Sequence, residues 1–397
     1  MPRSPKFRFI SWIGFLTALL SLLIASVLIF TFNTIPLWKL TLAASEYGHR
    51  LAMGPLLLLL LSWRSRRSRL GLATLVTASA ASLILFSPLA SAVFLVQKLP
   101  SEWQSAFGGP RAEFALEPQE LFTGKWVAKS ETAAFQIHTY SKAQDLDLHF
   151  YRSANSTPSP CLIVIHGGGW QSGSPDEFQA WNEHWATQGY AVAAIEYRLA
   201  PQNQWPAPLE DVEEAIRYLK ANADDLGIRK NQFVLLGRSA GGQIATAASY
   251  GLQDPTIIGC ISLYAPADLF FAHQYADPND ILDSLKLLRQ YVGGDPEQQP
   301  DRYTSASGIL LVTPQSPPTL LIHGQRDVLV WRLQSERLAE ALRLAKVPHF
   351  YLKLPWATHG FDFAWQGPGS QISRQAIDHF LKSLKESKNQ LTKGMSF

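Results

Sequence analysis

The stretch FVLLGRSAGGQIA, Phe233 to Ala245, decides the fold. Four apolar residues run into a glycine, a serine that has a glycine two positions away on each side, and a small-residue segment of helical character. Gly237 to Gly241 has the form G-x-S-x-G at a change from strand to helix, where a tight turn excludes flanking side chains and exposes the serine. This context predicts that Ser239 is a catalytic nucleophile, and the alternative is a serine with a structural role in the turn.

Short apolar runs recur on both sides of this stretch, and each is typical of a strand buried on both faces of a parallel sheet. They are CLIVIHGGG, YAVAAIEY, IIGCISLYA, TLLIHG and HFYLKLP. Helical patterns separate them, at Asp176 to Gln188 and in segments that begin at Pro206, Ala240, Arg332 and Ser370. An antiparallel hairpin from AAFQIHTYS and LDLHFYR comes first. This alternation predicts an α/β fold with a mostly parallel, doubly wound sheet and its chemistry at the carboxyl ends of the strands.

A serine hydroxyl needs an imidazole to take its proton and a carboxylate to orient that imidazole. HGQRDVLV places Asp327 after the next-to-last predicted strand, and WATHGFDF places His359 after the last one. The order Ser239, Asp327, His359 brings all three to one edge of such a sheet. Asp268 is the competing acid, but it is better placed to cap the helix that follows it.

Two other histidines, His166 and His323, lie at strand ends and are interpreted as structural. The first opens the glycine run HGGGW, whose bare backbone N–H groups suit an oxyanion hole. The amides of Gly168, Gly169 and Ala240 are the predicted donors, and a flexible glycine loop is the alternative reading.

Trp170 and Arg238 are candidates for the substrate pocket. An arginine beside the nucleophile can attract an anionic substrate group, or it can pair with a neighbouring acid inside the fold. EYRLAP, Glu196 to Pro201, is interpreted as a brace for the loop beside the site.

From about residue 135 the chain resembles the α/β-hydrolase esterase/lipase family, in the group of hormone-sensitive-lipase-like and acetyl-xylan or feruloyl-esterase-like enzymes. The motifs HGGGW, EYRLAP, GRSAGG, HGQRD and HGF carry this resemblance in order and spacing. It implies hydrolysis of a small-molecule or lipid-like carboxylic ester with neither cofactor nor metal. Two rivals stay open: an amidase or peptidase with the same triad, and a catalytically silent ligand-binding module on this fold.

The charge is divided unevenly along the chain. Residues 1–100 hold ten Lys and Arg against the single acid Glu46, and the remaining residues hold 25 against 31. The larger part is therefore mildly acidic, which argues against nucleic-acid binding. Cys161 and Cys260 lie in separate apolar runs and are predicted to be core thiols.

Long apolar segments fill the first hundred residues and predict two to three transmembrane helices, at about 9–32, 44–63 and 70–96. The segment 44–63 is the weakest of them because Glu46, His49 and Arg50 lie near its end. The predicted organisation is an anchor at 1–97, a linker at 98–131, and a catalytic domain at 132–390. An insertion at about 269–318 covers the strand ends.

Basic residues orient the anchor, because positively charged loops stay in the cytoplasm. MPRSPKFR precedes the first segment, and RSRRSR, Arg64 to Arg69, joins the second to the third. Three crossings keep both on the cytoplasmic side. The sequence therefore predicts an integral membrane protein with a cytoplasmic N-terminus and an extracytoplasmic catalytic domain. It predicts no oligomeric state.

Overall fold

The structure, a computed structural model, describes residues 5–108, 111–123, 135–155 and 158–394. Five helices precede the first strand: α1 (Pro5–Ser26), α2 (Ile35–Leu51), α3 (Met53–Ser62), α4 (Arg69–Phe107) and α5 (Pro118–Thr123). The first three all pack against α4, and these four helices are called the N-terminal bundle below.

The direction of α1 is fixed by its contacts with α4. Gly14 of α1 lies against Thr74, near the start of α4. Ala25, near the end of α1, shares an apolar cluster with Leu85. The two helices therefore run parallel, so that the start of α1 and the Arg64 to Arg69 turn lie at the same end of the bundle.

The outer surface of the bundle is apolar. Large apolar side chains on α1, α3 and α4 are exposed, among them Phe9, Trp12, Leu16, Leu20, Leu23, Leu57, Leu60, Leu61, Leu72, Val76, Leu83 and Phe94. A surface of this kind marks contact with a membrane or with another protein.

Among the described residues, one helix, α4, is by itself long and apolar enough to cross a membrane, and it contains the predicted segment 70–96. The other two predicted segments do not form such helices. Among the residues whose side chains the structure describes, α1 contributes a shorter apolar helix, Ser11–Ser26, and 44–63 is divided between α2 and α3 at Ala52. The sequence predicted two to three membrane-spanning helices, and among the described residues only α4 has the length and composition of one.

The first half of segment 44–63 is buried against the rest of the protein. The Glu46 carboxylate accepts hydrogen bonds from Trp356 Nε1 at 3.0 Å and from the Gly369 amide at 2.8 Å. Arg50 donates to the backbone oxygens of Glu120 and Leu121. Ionisable side chains are costly in a bilayer, and here both are bonded to other parts of the protein.

Eight strands form one sheet: β1 (Gln136–Ser141), β2 (Leu146–Tyr151), β3 (Ser159–Ile165), β4 (Ala191–Ile195), β5 (Ile228–Arg238), β6 (Ile257–Leu263), β7 (Thr319–Gly324) and β8 (His349–Leu354). Their order is β1-β2-β4-β3-β5-β6-β7-β8. The β1–β2 hairpin pairs antiparallel at one edge, and all pairs from β4 to β8 are parallel. The predicted hairpin and mostly parallel sheet are confirmed.

Nine helices follow the first strands among the described residues: α6 (Gln179–Thr187), α7 (Ala207–Ala221), α8 (Ala223–Leu226), α9 (Ala240–Gly251), α10 (Leu269–Gln274), α11 (Ser284–Val292), α12 (Pro300–Ala306), α13 (Leu333–Leu344) and α14 (Pro368–Gly394). One core joins α7 and α9 to one face of the sheet, and a second core joins α6 and α14 to the other. Cys161 and Cys260 are buried and unbridged in the sheet, as predicted.

The helix α4 belongs to both parts of the molecule. It continues ten residues beyond the predicted boundary at 97, and Leu99 and Trp103 are buried in the second core. Residues 98–107 of the predicted linker are therefore helical and packed. Within the remainder of that linker, residues 109–110 and 124–131 lie outside the described residues.

Candidate active site

Ser239 occupies a sharp turn between β5 and α9. Its backbone has φ +52° and ψ −122°, a conformation that is strained for a residue with a side chain. A Cβ on Gly237 would lie 2.1 Å from the Gly241 oxygen, and one on Gly241 would lie 2.2 Å from the Ile165 oxygen. The flanking glycines are therefore required by the close approach of backbone on either side of the serine.

Three predicted side chains meet at the carboxyl ends of the strands. Ser239 Oγ lies 3.0 Å from His359 Nε2, and His359 Nδ1 lies 2.7 Å from Asp327 Oδ2. With its proton on Nδ1, facing the carboxylate, the imidazole presents Nε2 as the acceptor for the serine hydroxyl. The geometry is that of a nucleophile, a base and an orienting acid.

Asp327 is held as an anion. Its Oδ1 accepts hydrogen bonds from the amides of Leu329 and Val330 at 2.8 and 2.9 Å. Burial by itself would raise the pKa of Asp327, but the neighbouring His359 and His323 outweigh burial and hold this pKa well below its ordinary value. The carboxylate therefore stays charged over the whole range in which an imidazole changes its protonation.

Two of the predicted oxyanion donors reach the cavity in front of Ser239. Gly169 and Ala240 line that cavity, whereas Gly168 is not among its lining residues. Gly168 and Gly169 have φ values of +105° and +60°, which favour glycine. Ala240 is the first residue of α9, so its N–H has no acceptor within the helix.

The competing candidates have structural roles. Asp268 caps α10 by accepting the Phe271 amide at 2.9 Å, and it pairs with Arg337. His323 Nε2 lies 3.2 Å from Asp327 Oδ2, the oxygen that His359 also contacts, and His323 Nδ1 bonds Ser335.

His166 faces the carbonyl of Gly167 at 2.8 Å and stacks on Tyr197. Burial lowers the pKa of His166 to about 4, so this ring is neutral at physiological pH. Neither it nor His323 contacts the serine hydroxyl.

Arg238 does not line the cavity, contrary to its prediction as a substrate-pocket residue. Its side chain is buried, and its Nε donates to Asp362 at 2.6 Å. The guanidinium lies 4.0 Å from the ring centroid of Phe178 and 5.4 Å from that of Trp181. The second reading of Arg238, an internal ion pair, is the one that the structure supports.

Asp362 links Arg238 to His359 through Tyr264, and this role of Asp362 was not predicted from the sequence. Its second oxygen accepts a hydrogen bond from the Tyr264 hydroxyl at 2.5 Å, and the Tyr264 ring packs 4.5 Å from the His359 ring. The available signal was the acid three residues after His359, because a buried arginine needs a carboxylate partner.

The cavity in front of Ser239 has a volume of about 680 Å³, in the usual range for small-molecule sites. Trp170 lines it as predicted, stacked on Tyr291 and donating to Gln243 at 2.9 Å. The segment 269–318 supplies one wall through α10 and α11. No group of three His, Cys, Asp or Glu suited to a metal occurs in the part of the chain that the structure describes.

EYRLAP, interpreted from the sequence as a brace for the loop beside the site, bonds to α7 and β2. Arg198 donates to Asp211 at 2.7 Å and to Glu210 at 2.9 Å. The Glu196 carboxylate accepts the Asp147 amide at 3.0 Å. None of these residues lines the cavity.

Known esterases match part of this chain. The family model BD-FAE matches residues 146–342. Ethyl acetate hydrolase of Pseudomonas putida is 36% identical over 233 residues, which cover 54% of this chain and 71% of the relative. Esterase LipC of Mycobacterium tuberculosis is 31% identical over 267 residues, 63% of this chain and 65% of the relative. The chain belongs to the α/β-hydrolase family of esterases.

Solved structures show the same fold. A Pyrobaculum calidifontis esterase has a TM-score of 0.56 at 22% identity over 64% of this chain and 85% of its own. An acetyl ester-xyloside bifunctional hydrolase from Caldicellulosiruptor lactoaceticus has a TM-score of 0.55 at 24% identity, over 63% of this chain and 96% of its own. The chain spans 55–65% of the length of the first three curated relatives that it matches.

Proposed function

We propose that this protein is a membrane-anchored serine hydrolase that cleaves carboxylic esters through an acyl-enzyme. The observation that carries the proposal is the pair of contacts from His359, 3.0 Å to Ser239 and 2.7 Å to Asp327, at the base of a cavity of about 680 Å³. Membership of the esterase family and the strained turn at Ser239 support it.

In the first half of the reaction, His359 Nε2 takes the Ser239 proton as Oγ attacks the ester carbonyl. The negative oxygen of the tetrahedral intermediate accepts hydrogen bonds from the amides of Gly169 and Ala240, the two predicted donors that line the cavity. The intermediate collapses when His359 returns the proton to the leaving alcohol. In the second half a water molecule, deprotonated by His359, attacks the acyl-enzyme, which releases the acid and restores the serine.

The proposal is tested with p-nitrophenyl butyrate and the full-length protein in detergent. Ser239→Ala should lower kcat by more than about 10⁴-fold, because the nucleophile is lost. Ser249→Ala is the matched control, since it removes a buried hydroxyl from α9, the helix that follows Ser239, at a position that does not line the cavity. Retention of activity by Ser239→Ala would refute the mechanism, and faster turnover of butyryl p-nitroanilide than of the ester would favour an amidase.

Anchoring in a membrane is the second part of the proposal. Helix α4 has the length and composition of a span. The shorter apolar helices α1 and α3 pack along it and expose apolar side chains on the same bundle, so we place them in the bilayer with α4. Residues 1–97 then form the main part of the anchor, and 132–390 form the catalytic domain.

The proposed orientation puts the basic end of the bundle in the cytoplasm. RSRRSR lies at the end of the bundle opposite to the point where α4 enters the second core, and basic loops stay cytoplasmic. The catalytic domain is then extracytoplasmic. Alkaline phosphatase fused after Phe397 should be active, and an inactive fusion expressed at a normal level would contradict this orientation.

A further inference from the structure

The loop between α1 and α2, residues 27–34, reaches the catalytic cavity. Ile29, Thr31 and Asn33 of this loop line the same cavity as Ser239. The nucleophile lies about two hundred residues further along the chain, in the hydrolase part. The cavity is therefore completed by a piece of the N-terminal bundle.

The loop is fixed to the segments that carry the catalytic acid and base. Phe32 and Trp38 line a small cleft together with Arg326, Val328 and Thr358. These three residues are immediate neighbours of Asp327 and His359 in the chain. The loop and the start of α2 thus lie beside the proposed acid and base, and the loop forms one wall of the cavity.

Exposed apolar side chains surround the opening of the cavity. Ile29 is 53% exposed, Tyr275 is 52% exposed and Trp331 is 51% exposed, and each of them lines the cavity. They come from three separate segments, and the Tyr275 and Trp331 rings are stacked 6.2 Å apart. Large apolar groups that stay in water at the mouth of a site indicate contact with an apolar ligand or surface.

The mouth also continues the apolar surface of the bundle. Ile29 follows the end of α1 by three residues, and the exposed side chains of Leu23 and Phe30 lie on either side of it in the chain. The basic Arg64 to Arg69 turn lies at the opposite end of the bundle. In the proposed anchoring, the cavity therefore opens at the extracytoplasmic surface of the bilayer, where α1 leaves it.

We propose that residues 27–34 bind the acyl chain of the substrate, and that this substrate is a long-chain fatty acyl ester resident in the membrane. This inference rests on the proposed function. A lipid places its ester group at the boundary of the hydrocarbon layer, next to the mouth. The carbonyl then reaches Ser239 while the acyl chain passes from the bilayer along the apolar side of the loop and Trp331.

The experiment compares two esters with the full-length protein reconstituted in phosphatidylcholine vesicles: p-nitrophenyl palmitate within the vesicles and p-nitrophenyl acetate in solution. The wild type should have the higher kcat/KM for palmitate. Ile29→Asn should lower the ratio of palmitate to acetate kcat/KM by about tenfold, which is about 1.4 kcal/mol. Leu344→Asn is the matched control, because it changes an exposed leucine of α13 that does not line the cavity, and it should leave the ratio unchanged.

The outcomes separate the inference from the function on which it rests. A preference for acetate in the wild type would overturn the substrate class while ester hydrolysis stands. A palmitate preference that Ile29→Asn leaves unchanged would overturn the role of the loop. Absence of turnover of both esters by a folded wild type would refute the proposed function, and the inference with it.

A labelling experiment locates the acyl chain without depending on turnover by a variant. The native thiols, Cys161 and Cys260, are buried, so the exposed Thr31 can be replaced to give a single reactive site. In Thr31→Cys, a hexadecylphosphonate bound to Ser239 should slow maleimide labelling at position 31 at least fivefold, and a methylphosphonate should not. Equal labelling after both phosphonates would overturn the inference.

Discussion

Arg238 illustrates how a residue beside a nucleophile can serve the fold. Its guanidinium has one carboxylate partner, Asp362, and lies against the aromatic rings of α6. Asp362 also accepts the Tyr264 hydroxyl, and the Tyr264 ring packs on His359. We therefore assign Asp362 as a positioning residue that fixes the histidine loop through its neighbours.

Removal of the Asp362 charge should destabilise the protein strongly. In Asp362→Asn the buried guanidinium loses its counter-charge, and breaking a buried pair costs about 3–5 kcal/mol. We expect a lower Tm by tryptophan fluorescence and a lower kcat with little change in KM, because the His359 ring is less well oriented. Tyr264→Phe, which keeps the ring but removes one hydrogen bond, should cost less, and a wild-type Tm for Asp362→Asn would contradict this account.

The buried His166 predicts a pH dependence of stability. Its folded pKa of about 4 lies below the ordinary value of 6.5, so between these pH values the unfolded chain binds a proton that the folded chain does not. This contribution is fully present above pH 6.5 and is lost as the pH falls towards 4, by about 1.4 kcal/mol per pH unit.

The corresponding test compares the wild type with His166→Gln, whose side chain does not titrate. The fall in the free energy of unfolding between pH 7.5 and pH 5 should be smaller in the variant by about 2 kcal/mol. Guanidinium unfolding in one detergent at both pH values measures it. An identical fall in the two proteins would show that burial does not keep this ring neutral.

At the scale of elements, α2 packs closely on α4. A Cβ on Gly48 would lie 2.4 Å from the backbone oxygen of Leu85, which cannot move aside as a flexible side chain would. A Cβ added to Gly54, in α3, would have no other atom within 4 Å. The two glycines are therefore a matched pair in neighbouring helices.

Substitution of the two glycines by alanine should have opposite effects. Gly48→Ala forces α2 away from α4 and should lower stability by about 1–3 kcal/mol. Gly54→Ala should raise it by about 0.5–1 kcal/mol, because alanine favours the helix and meets no atom. Thermal unfolding in detergent measures both, and a stabilising Gly48→Ala would show that the two helices are not in this contact.

The elements that the sequence predicted well are those whose pattern is local. Buried β-branched runs indicated the strands, and the glycines of HGGGW and GRSAGG indicated the turns after β3 and β5. The division of segment 44–63 at Ala52 was not predictable from its apolar character. The burial of Glu46 in the same segment was not predictable either, because its partner Trp356 is more than three hundred residues away in the chain.

At the scale of the whole molecule, the meeting of the three proposed catalytic residues could be predicted because a parallel sheet brings the ends of its strands to one edge. Ser239, Asp327 and His359 all follow strands, so their order along the chain was sufficient. The contact of Ile29 with the cavity had no such signal, since it arises from the docking of the bundle on the hydrolase part. For Arg238 the sequence predicted pairing with an acid, but it did not identify that acid as Asp362.

Trp103 tests whether the bundle and the hydrolase part are one cooperative structure. Its ring is buried near the end of α4, with its centroid 5.2 Å from that of Phe350 in β8. Trp103→Ala should lower the stability of the hydrolase part by about 3–5 kcal/mol through the cavity that it leaves. Trp63→Ala, at an exposed tryptophan of the bundle, should change stability by less than about 0.5 kcal/mol, and equal effects would contradict the shared core.

The continuity of α4 has a kinetic consequence. A helix of 39 residues is about 58 Å long, and it runs from the basic end of the bundle into the core behind the sheet. The hydrolase part therefore cannot reorient freely on a tether, and in the proposed anchoring the mouth of its cavity stays at the surface of the bilayer. In the proposed anchoring, esters meet the enzyme by lateral diffusion in their own leaflet, so the rate should follow their mole fraction among the lipids and not their concentration in bulk water.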